Sequence, residues 1–269
     1  RGLCEPDDAL DCVRSGTTLR LLAGLMAGQS FYSILRAEPQ LRKRPMDRVI
    51  QPLRQMGAQI HGRAGDRLPP LTIVGRPLHG IEHATPVASA QVKSCLLLAG
   101  LYAEGPTTVI EPTLSRDHTE RMLRARGVDV ESRGARHTIV GPCADLAALD
   151  TAIPGDFSSA AFFLAAGLIV PGSEIMLRDV GVNPTRTGLL DALREEHRAF
   201  LAVHYKQQKL ICSGPQNPRV GGAIIASVGI DEAREIMKND PFVIHGAAVY
   251  SFIEFTPRSF DPRFACFLT

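Results

Sequence analysis

Three short stretches combine hydroxyls, glycine, an amide or cations at points where a helix would begin. They are Ser15-Gly16-Thr17-Thr18, Leu41-Arg42-Lys43-Arg44-Pro45 and Ser89-Ala90-Gln91-Val92-Lys93-Ser94. A helix N-terminus leaves four backbone N–H groups unpaired and carries the positive end of the helix dipole. The Ser89 hydroxyl and the Gln91 amide can join those donors, and Lys93 adds a full charge one turn in. The chemistry such a set can do is to hold an anion, most naturally a phosphate. The plainer reading of Pro86–Gly105 is a capped core helix, its apolar tail buried and its end at Gly105. Ser15-Gly-Thr-Thr also makes an ordinary N-cap, and it lacks the Gly-Lys-Ser/Thr ending of a Walker loop.

Arg42, Lys43, Arg44 and Arg48 form a charge run that reads either as a solvated face or as a grip in which Arg44 points inward onto a carboxylate or phosphate. Pro45 fixes the backbone beside it. Ser115-Arg116-Asp117-His118 resembles a capping motif, with His118 where Glu or Gln is usual. Arg116 there opposes the helix dipole unless an anion lies nearby. His118 and Glu120 read as structural, and Asp156 or Ser158 reads as the N-cap of the next helix.

The elements that carry these residues repeat. Gly28, Gly105 and Gly172 each close a run with a small, polar start and an apolar tail, at spacings of 77 and 67 residues. A short strand follows each (30–35, 107–110, 174–177), then an amphipathic helix ending in Leu-Arg: Leu53-Arg54, Leu123-Arg124, Leu193-Arg194. Three residues on come Gly57 and Gly127, suited to a left-handed helix end, but His197 in the third unit. Strands 71–75 and 137–141 close the first two units only. The class is therefore α/β or α+β. The expected divisions are 1–150 (two units), 151–194 (a truncated third) and 195–269.

A formal charge of +2, dispersed basic residues, four Tyr and no Trp argue against a nucleic-acid surface. No apolar run is long enough to span a bilayer, so no membrane partner is expected. The six cysteines have no paired spacing and read as reduced thiols of a cytoplasmic protein, with no metal framework.

From about residue 8 to 194 the chain resembles the 5-enolpyruvylshikimate-3-phosphate (EPSP) synthase family. The likeness rests on Ser15–Thr18, Leu41–Pro45, Pro86–Gly105, Ser115–Glu120 and Pro154–Ser159, in that order. The resemblance implies an inside-out α/β barrel of βαβαββ-type units. It implies transfer of the enolpyruvyl group of phosphoenolpyruvate to shikimate 3-phosphate, in the shikimate pathway of aromatic amino-acid biosynthesis, without a cofactor or metal. Ser89, Ala90 and Gln91 would hold shikimate 3-phosphate, with Lys93, Ser115 and Arg116 near it. Arg44, Gly16 and Thr17 would meet phosphoenolpyruvate, with Gln91 reaching it too. The family's Gly-Asn before Ser-Gly-Thr is Val13-Arg14 here, and its Gly-Asp before the Arg-Lys-Arg-Pro motif is Ala37-Glu38. A bulky Arg14 would obstruct glyphosate, which competes for that pocket. The later half of the family, with its proton-transferring residues, has no counterpart, so the retained residues read as anion binders.

From about Arg194 the chain resembles the YCII-related family. The likeness lies in His197–Ala202, Lys209–Pro215, Gly221–Ala226, Asp231–Arg234, Asp240–Val243 and a strand from Tyr250 to Pro257. That resemblance implies a ferredoxin-like α+β module, a homodimer through it, and His197 with Asp240 as an acid–base pair. A strand at Glu174–Leu177 would complete its β-α-β-β-α-β order by pairing near Tyr250–Phe255. Three functions follow: a shikimate-pathway transferase or its binding half, a YCII-like acid–base enzyme or binding module carrying an inactive fragment, or a fusion product without activity.

Overall fold

In the computed structural model, residues 2–143, 145–170, 175–215, 222–244 and 248–254 are described. Residues 1–151 and 152–269 form two compact units.

The first unit runs β1 (Leu10–Asp11), α1 (Gly16–Ala27), β2 (Tyr32–Arg36), α2 (Asp47–Gln55), β3 (Gln59–Gly62), a single turn α3 (Arg63–Asp66) and β4 (Leu68–Val74). The pattern then recurs as β5 (Leu78–His79), β6 (Glu82–Ala84), α4 (Ala90–Gly100), β7 (Ala103–Ile110), α5 (His118–Ala125), β8 (Val130–Arg133) and β9 (Arg136–Gly141). The two sheets have the same topology. In the order β1-β2-β4-β3, the first pair is parallel and the others antiparallel. In β6-β7-β9-β8 the senses are identical, with β5 also parallel to β7.

The repeated Leu-Arg and Gly have one physical explanation. Leu53 and Leu123 are buried anchors of α2 and α5. Arg54 donates through Nε and Nη2 to the Ile60 carbonyl (3.0 and 2.6 Å), and Arg124 does the same to Val130 (2.9 and 2.7 Å). Each guanidinium ties a helix end to the strand that follows. Gly57 (φ +100°) and Gly127 (φ +84°) make the left-handed turn between them. Ala58 N–H reaches back to Leu53 and Val128 N–H to Leu123, both at 3.0 Å or less, closing the helix as a Schellman motif.

Helices α1 and α4 form the centre of the core. From Val92 to Gly100 every residue of α4 is buried, as are Leu19, Ala23, Gly24, Met26 and Ala27 of α1. A Cβ on Gly24 would lie 2.1 Å from the Cys95 carbonyl oxygen, so only glycine permits this approach. Helix α4 ends at Gly100, not at Gly105 as the apolar run suggests. Tyr102 N–H bonds Ala99 (3.0 Å) and turns the chain into β7, where Gly105 pairs with Gly141.

The second unit contains α6 (Phe157–Ile169), α7 (Gly188–Lys206), β10 (Leu210–Pro215), β11 (Gly222–Ala226), α8 (Ile230–Lys238) and α9 (Pro241–Ile244). Asp156 caps α6, accepting from Ser158 N–H (3.2 Å), and pairs with Arg186 (2.8 Å). Residues Leu201, Leu210, Ile236 and Met237 form a small core, joined by Tyr250 and Phe252. Arg194 and Glu195 lie in the middle of α7, which continues past His197 because no glycine stops it there.

The expected ferredoxin-like order is not formed among the described residues. Strands β10 and β11 make a two-stranded antiparallel sheet. Residues 175–177 and 248–254 adopt no strand. Glu174, Gly221 and the expected strand beyond Glu254 lie outside the described residues, as does Gly172. The physical reason is visible at 175–177: the nearby pairing is made instead by Val180, bridged in parallel to Gly155.

We expect Gly24→Ala to cost about 3 kcal/mol or more, since the helices must separate or strain. A thermal melt of the variant, unchanged from the parent, would contradict the α1–α4 contact.

Candidate functional site

The close α1–α4 approach sets the two helix N-termini side by side. Ser15 caps α1 by accepting from Thr18 N–H (3.1 Å), and Ser89 caps α4 by accepting from Val92 N–H (3.4 Å). Among the described residues the N–H groups of Gly16, Thr17, Ala90 and Gln91 have no acceptor. Gln91 ties the two ends together: its Nε2 donates to Thr17 Oγ1 (2.7 Å) and its Oε1 accepts from Arg20 Nη1 (2.7 Å). Arg20 also donates to the carbonyls of Gly16 (3.4 Å) and Pro45 (3.1 Å), drawing in the segment that carries Arg44. Arg44 follows a 3-10 turn, Leu41–Lys43, and its guanidinium has no partner among the described residues.

These groups line one cleft of about 510 Å³, with Arg14, Gly16, Thr17, Arg20, Arg44 and Gln91 in its walls. No carboxylate or imidazole lines it. Burial, then repulsion from Arg44 and Arg48, holds the Arg20 pKa below its ordinary value. The cleft is thus a concentration of positive charge, with the N-terminus of α1 in its wall and Gln91 of α4 beside it. Sequence reasoning missed Arg20. The signal was a lone cation in the second turn of an otherwise apolar helix, one turn after Gly16.

Of the residues singled out in the sequence, Arg44, Gly16, Thr17 and Gln91 meet at this cleft. Ser89 and Ala90 sit half-buried at the α4 end, and Ser115 and Arg116 lie on the loop before α5, outside the cleft lining. Arg116 is exposed, without a partner among the described residues. Ser115 is not a cap: Asp117 precedes the first residue of α5, and Ser115 N–H instead donates to Glu111 Oε2 (3.3 Å).

Lys93, expected beside the ligand, is instead fully buried and absent from the cleft lining, with its ammonium 2.8 Å from Glu111 and 2.7 Å from Glu120. An apolar helix flank would not accept a bare ammonium, so two buried carboxylates neutralise it. His137 stands 3.6 Å from each of those carboxylates, and its Nδ1 shares a hydrogen bond with the Ser132 hydroxyl (3.0 Å), whose oxygen accepts from Arg124 (2.6 Å). The cluster fastens α4, α5, β9 and the Ser115 loop to one another. Burial alone would raise the Glu111 pKa, but the nearby His137 ring, the Lys93 ammonium and the Ser115 N–H outweigh it and draw it down to about 2.

In the second unit, His197 Nδ1 meets Asp240 Oδ1 at 2.8 Å. Asp240 is fully buried and also accepts from Tyr250 OH (2.7 Å) and Phe242 N–H (2.8 Å). The His197 ring stacks on Phe242 with centroids 4.0 Å apart. The two residues paired in the sequence reading are therefore in contact.

Comparison with known proteins finds a family model, EPSP synthase (3-phosphoshikimate 1-carboxyvinyltransferase), matching residues 1–229. Over 193 residues the chain is 60% identical to a 3-phosphoshikimate 1-carboxyvinyltransferase of Geobacter metallireducens and to one of Citrifermentans bemidjiense, covering 72% of this chain and 45% of each relative. The chain thus spans a little under half the length of these curated relatives. A solved EPSP synthase from Acinetobacter baumannii superposes on 71% of this chain and 43% of its own, at 47% identity and a TM-score of 0.65. The family match runs through α7, β10 and β11, and gives the second resemblance, to the YCII-related family, no support. No helix among the described residues is long and apolar enough to cross a membrane.

Two outcomes test the buried cluster. Lys93→Met leaves two carboxylates unpaired and should cost about 3–5 kcal/mol. Glu111, depressed from 4.5 to about 2, stabilises the fold above pH 4.5, and that contribution disappears as pH falls towards 2. Acid denaturation of Glu111→Gln should be flatter across that window. A parallel curve would contradict the coupling.

Proposed function

The chain belongs to the EPSP synthase family, and from that premise we propose that residues 1–151 bind shikimate 3-phosphate and phosphoenolpyruvate, as the ligand-binding half of an enolpyruvyl transferase. One observation carries the reading. The Gln91 amide joins the N-termini of repeat-related helices α1 and α4, 2.7 Å from Thr17 and 2.7 Å from Arg20, at a cleft lined by Arg44, whose guanidinium has no partner among the described residues. In this reading Arg44, Gly16 and Thr17 receive phosphoenolpyruvate. Ser89, Ala90 and Gln91, with Ser115 and Arg116, receive shikimate 3-phosphate. Lys93 acts only through the elements it fastens.

The transfer needs a proton taken from the acceptor hydroxyl and one delivered to the enol methylene. The cleft lining has no carboxylate or imidazole to carry either. The reading is therefore of binding first, with turnover by this chain as the stricter claim. Calorimetry should detect both ligands, and Arg116→Ala should weaken shikimate 3-phosphate about tenfold, the loss of one charge-assisted contact. Unchanged affinity would remove Arg116 from the site. Phosphate release with both substrates present would extend the reading from binding to catalysis.

A second reading concerns His197. Asp240 bonded at Nδ1 leaves Nε2 as the basic nitrogen, the arrangement of a YCII-like acid–base pair. Nitrogen-15 spectra should report the Nδ1–H tautomer and its loss in Asp240→Asn. An Nε2–H tautomer in the parent chain would dismiss this reading.

A further inference from the structure

Arg14 and Glu38, 24 residues apart in the chain, touch each other. Arg14 Nε donates to Glu38 Oε2 at 2.5 Å. The backbone reinforces the pairing, since Glu38 N–H donates to the Val13 carbonyl at 2.8 Å. Val13 lies in a tight turn closed by Ser15 N–H on Cys12 (2.8 Å) and by its own N–H on Asp11 Oδ1 (2.9 Å). Its φ is +48°, a region that β-branched residues strongly avoid. Backbone strain is thus held beside Arg14.

The pair contributes little stability, because its side chains are 70% and 37% exposed. Its geometry says more. A guanidinium has five N–H donors, and Glu38 engages only the one on Nε. The donors on Nη1 and Nη2 have no acceptor among the described residues. Arg14 lines the cleft with Arg20 and Arg44, whereas Glu38 does not. The carboxylate therefore holds Arg14 from behind.

We propose that Arg14 is a further anion-binding residue of this cleft and that Glu38 is its positioning residue, fixing Nε so that the Nη edge meets an oxyanion of the ligand held by Arg44. This rests on the reading that the cleft receives phosphoenolpyruvate, and it adds a specificity. Two guanidinium groups, each able to take a planar or tetrahedral oxyanion, select ligands with two anionic groups over ligands with one.

Calorimetry on the full chain with phosphoenolpyruvate and with inorganic phosphate tests this. Arg14→Ala should lose about tenfold in affinity for phosphoenolpyruvate and less than about twofold for phosphate, since only the two-anion ligand spans both groups. Arg44→Ala should weaken both. Glu38→Ala should lower phosphoenolpyruvate affinity about threefold or more, while Glu38→Gln, which keeps an acceptor for Nε, should restore it to within about twofold. Melting curves of each variant, matching the parent, exclude misfolding as the cause. Unchanged phosphoenolpyruvate affinity in Arg14→Ala, with Arg44→Ala still impaired, would overturn this inference and leave the cleft reading intact. Tighter binding in both Glu38 variants would make Glu38 a competitor of the ligand, and would also overturn it. A parent chain that binds neither probe would remove both.

Discussion

Gly24 lies against the Cys95 carbonyl, and the rest of the first unit depends on how close that contact lets α1 and α4 come. Two helices packed with their N-termini together bring two positive dipole ends to one place. Arg14, Arg20 and Arg44 add three full charges there. Left alone, such an arrangement is electrostatically unfavourable. It persists because Val92 to Gly100 and the facing side of α1 are buried in a continuous apolar core, and because Gln91 and Arg20 knit the ends with neutral acceptors. The packing interior supplies the free energy; the charged rim retains an unmet demand for an anion.

The same helix shows the opposite solution one turn further on. Lys93 is as cationic as Arg44, but it is removed from water and balanced by Glu111 and Glu120 inside the fold. Its charge is balanced inside the structure, whereas that of Arg44 meets no carboxylate among the described residues. Burial together with the presence of a partner carboxylate distinguishes the two. A basic residue in a motif is therefore not by itself a contact to substrate.

Much of this was legible in the chain. Leu53-Arg54 and Leu123-Arg124, each followed by glycine, marked the helix ends because the arginine clamp and the left-handed turn both demand those residue types. Arg44, Gly16, Thr17 and Gln91, singled out in the chain, meet at one cleft, although hydroxyls and glycine at helix starts also serve as ordinary caps. Lys93 was misread because sequence gives its distance along α4 but not its direction, and its partners, Glu111 just after β7 and Glu120 on α5, lie 18 and 27 residues away. Arg20 was missed because its acceptors, Gln91 and the Pro45 carbonyl, are equally remote. At 175–177 no strand forms, because an apolar run announces only the wish to be buried. Pairing depends on a neighbour, and Val180 found one at Gly155.

The long helix α7 has a consequence for how the repeat is lost. In the first two units the chain reverses three residues after the arginine, and the following strand is delivered onto its own sheet. From His197 to Lys206 the third unit instead keeps rising, on the order of 14 Å at 1.5 Å per residue. The strands that follow are carried past the point where an arginine at 194 could clamp a carbonyl six residues downstream, so they pair with each other as β10 and β11. Where the left-handed turn is missing, the chain thus runs on as helix, and among the described residues its next two strands serve each other.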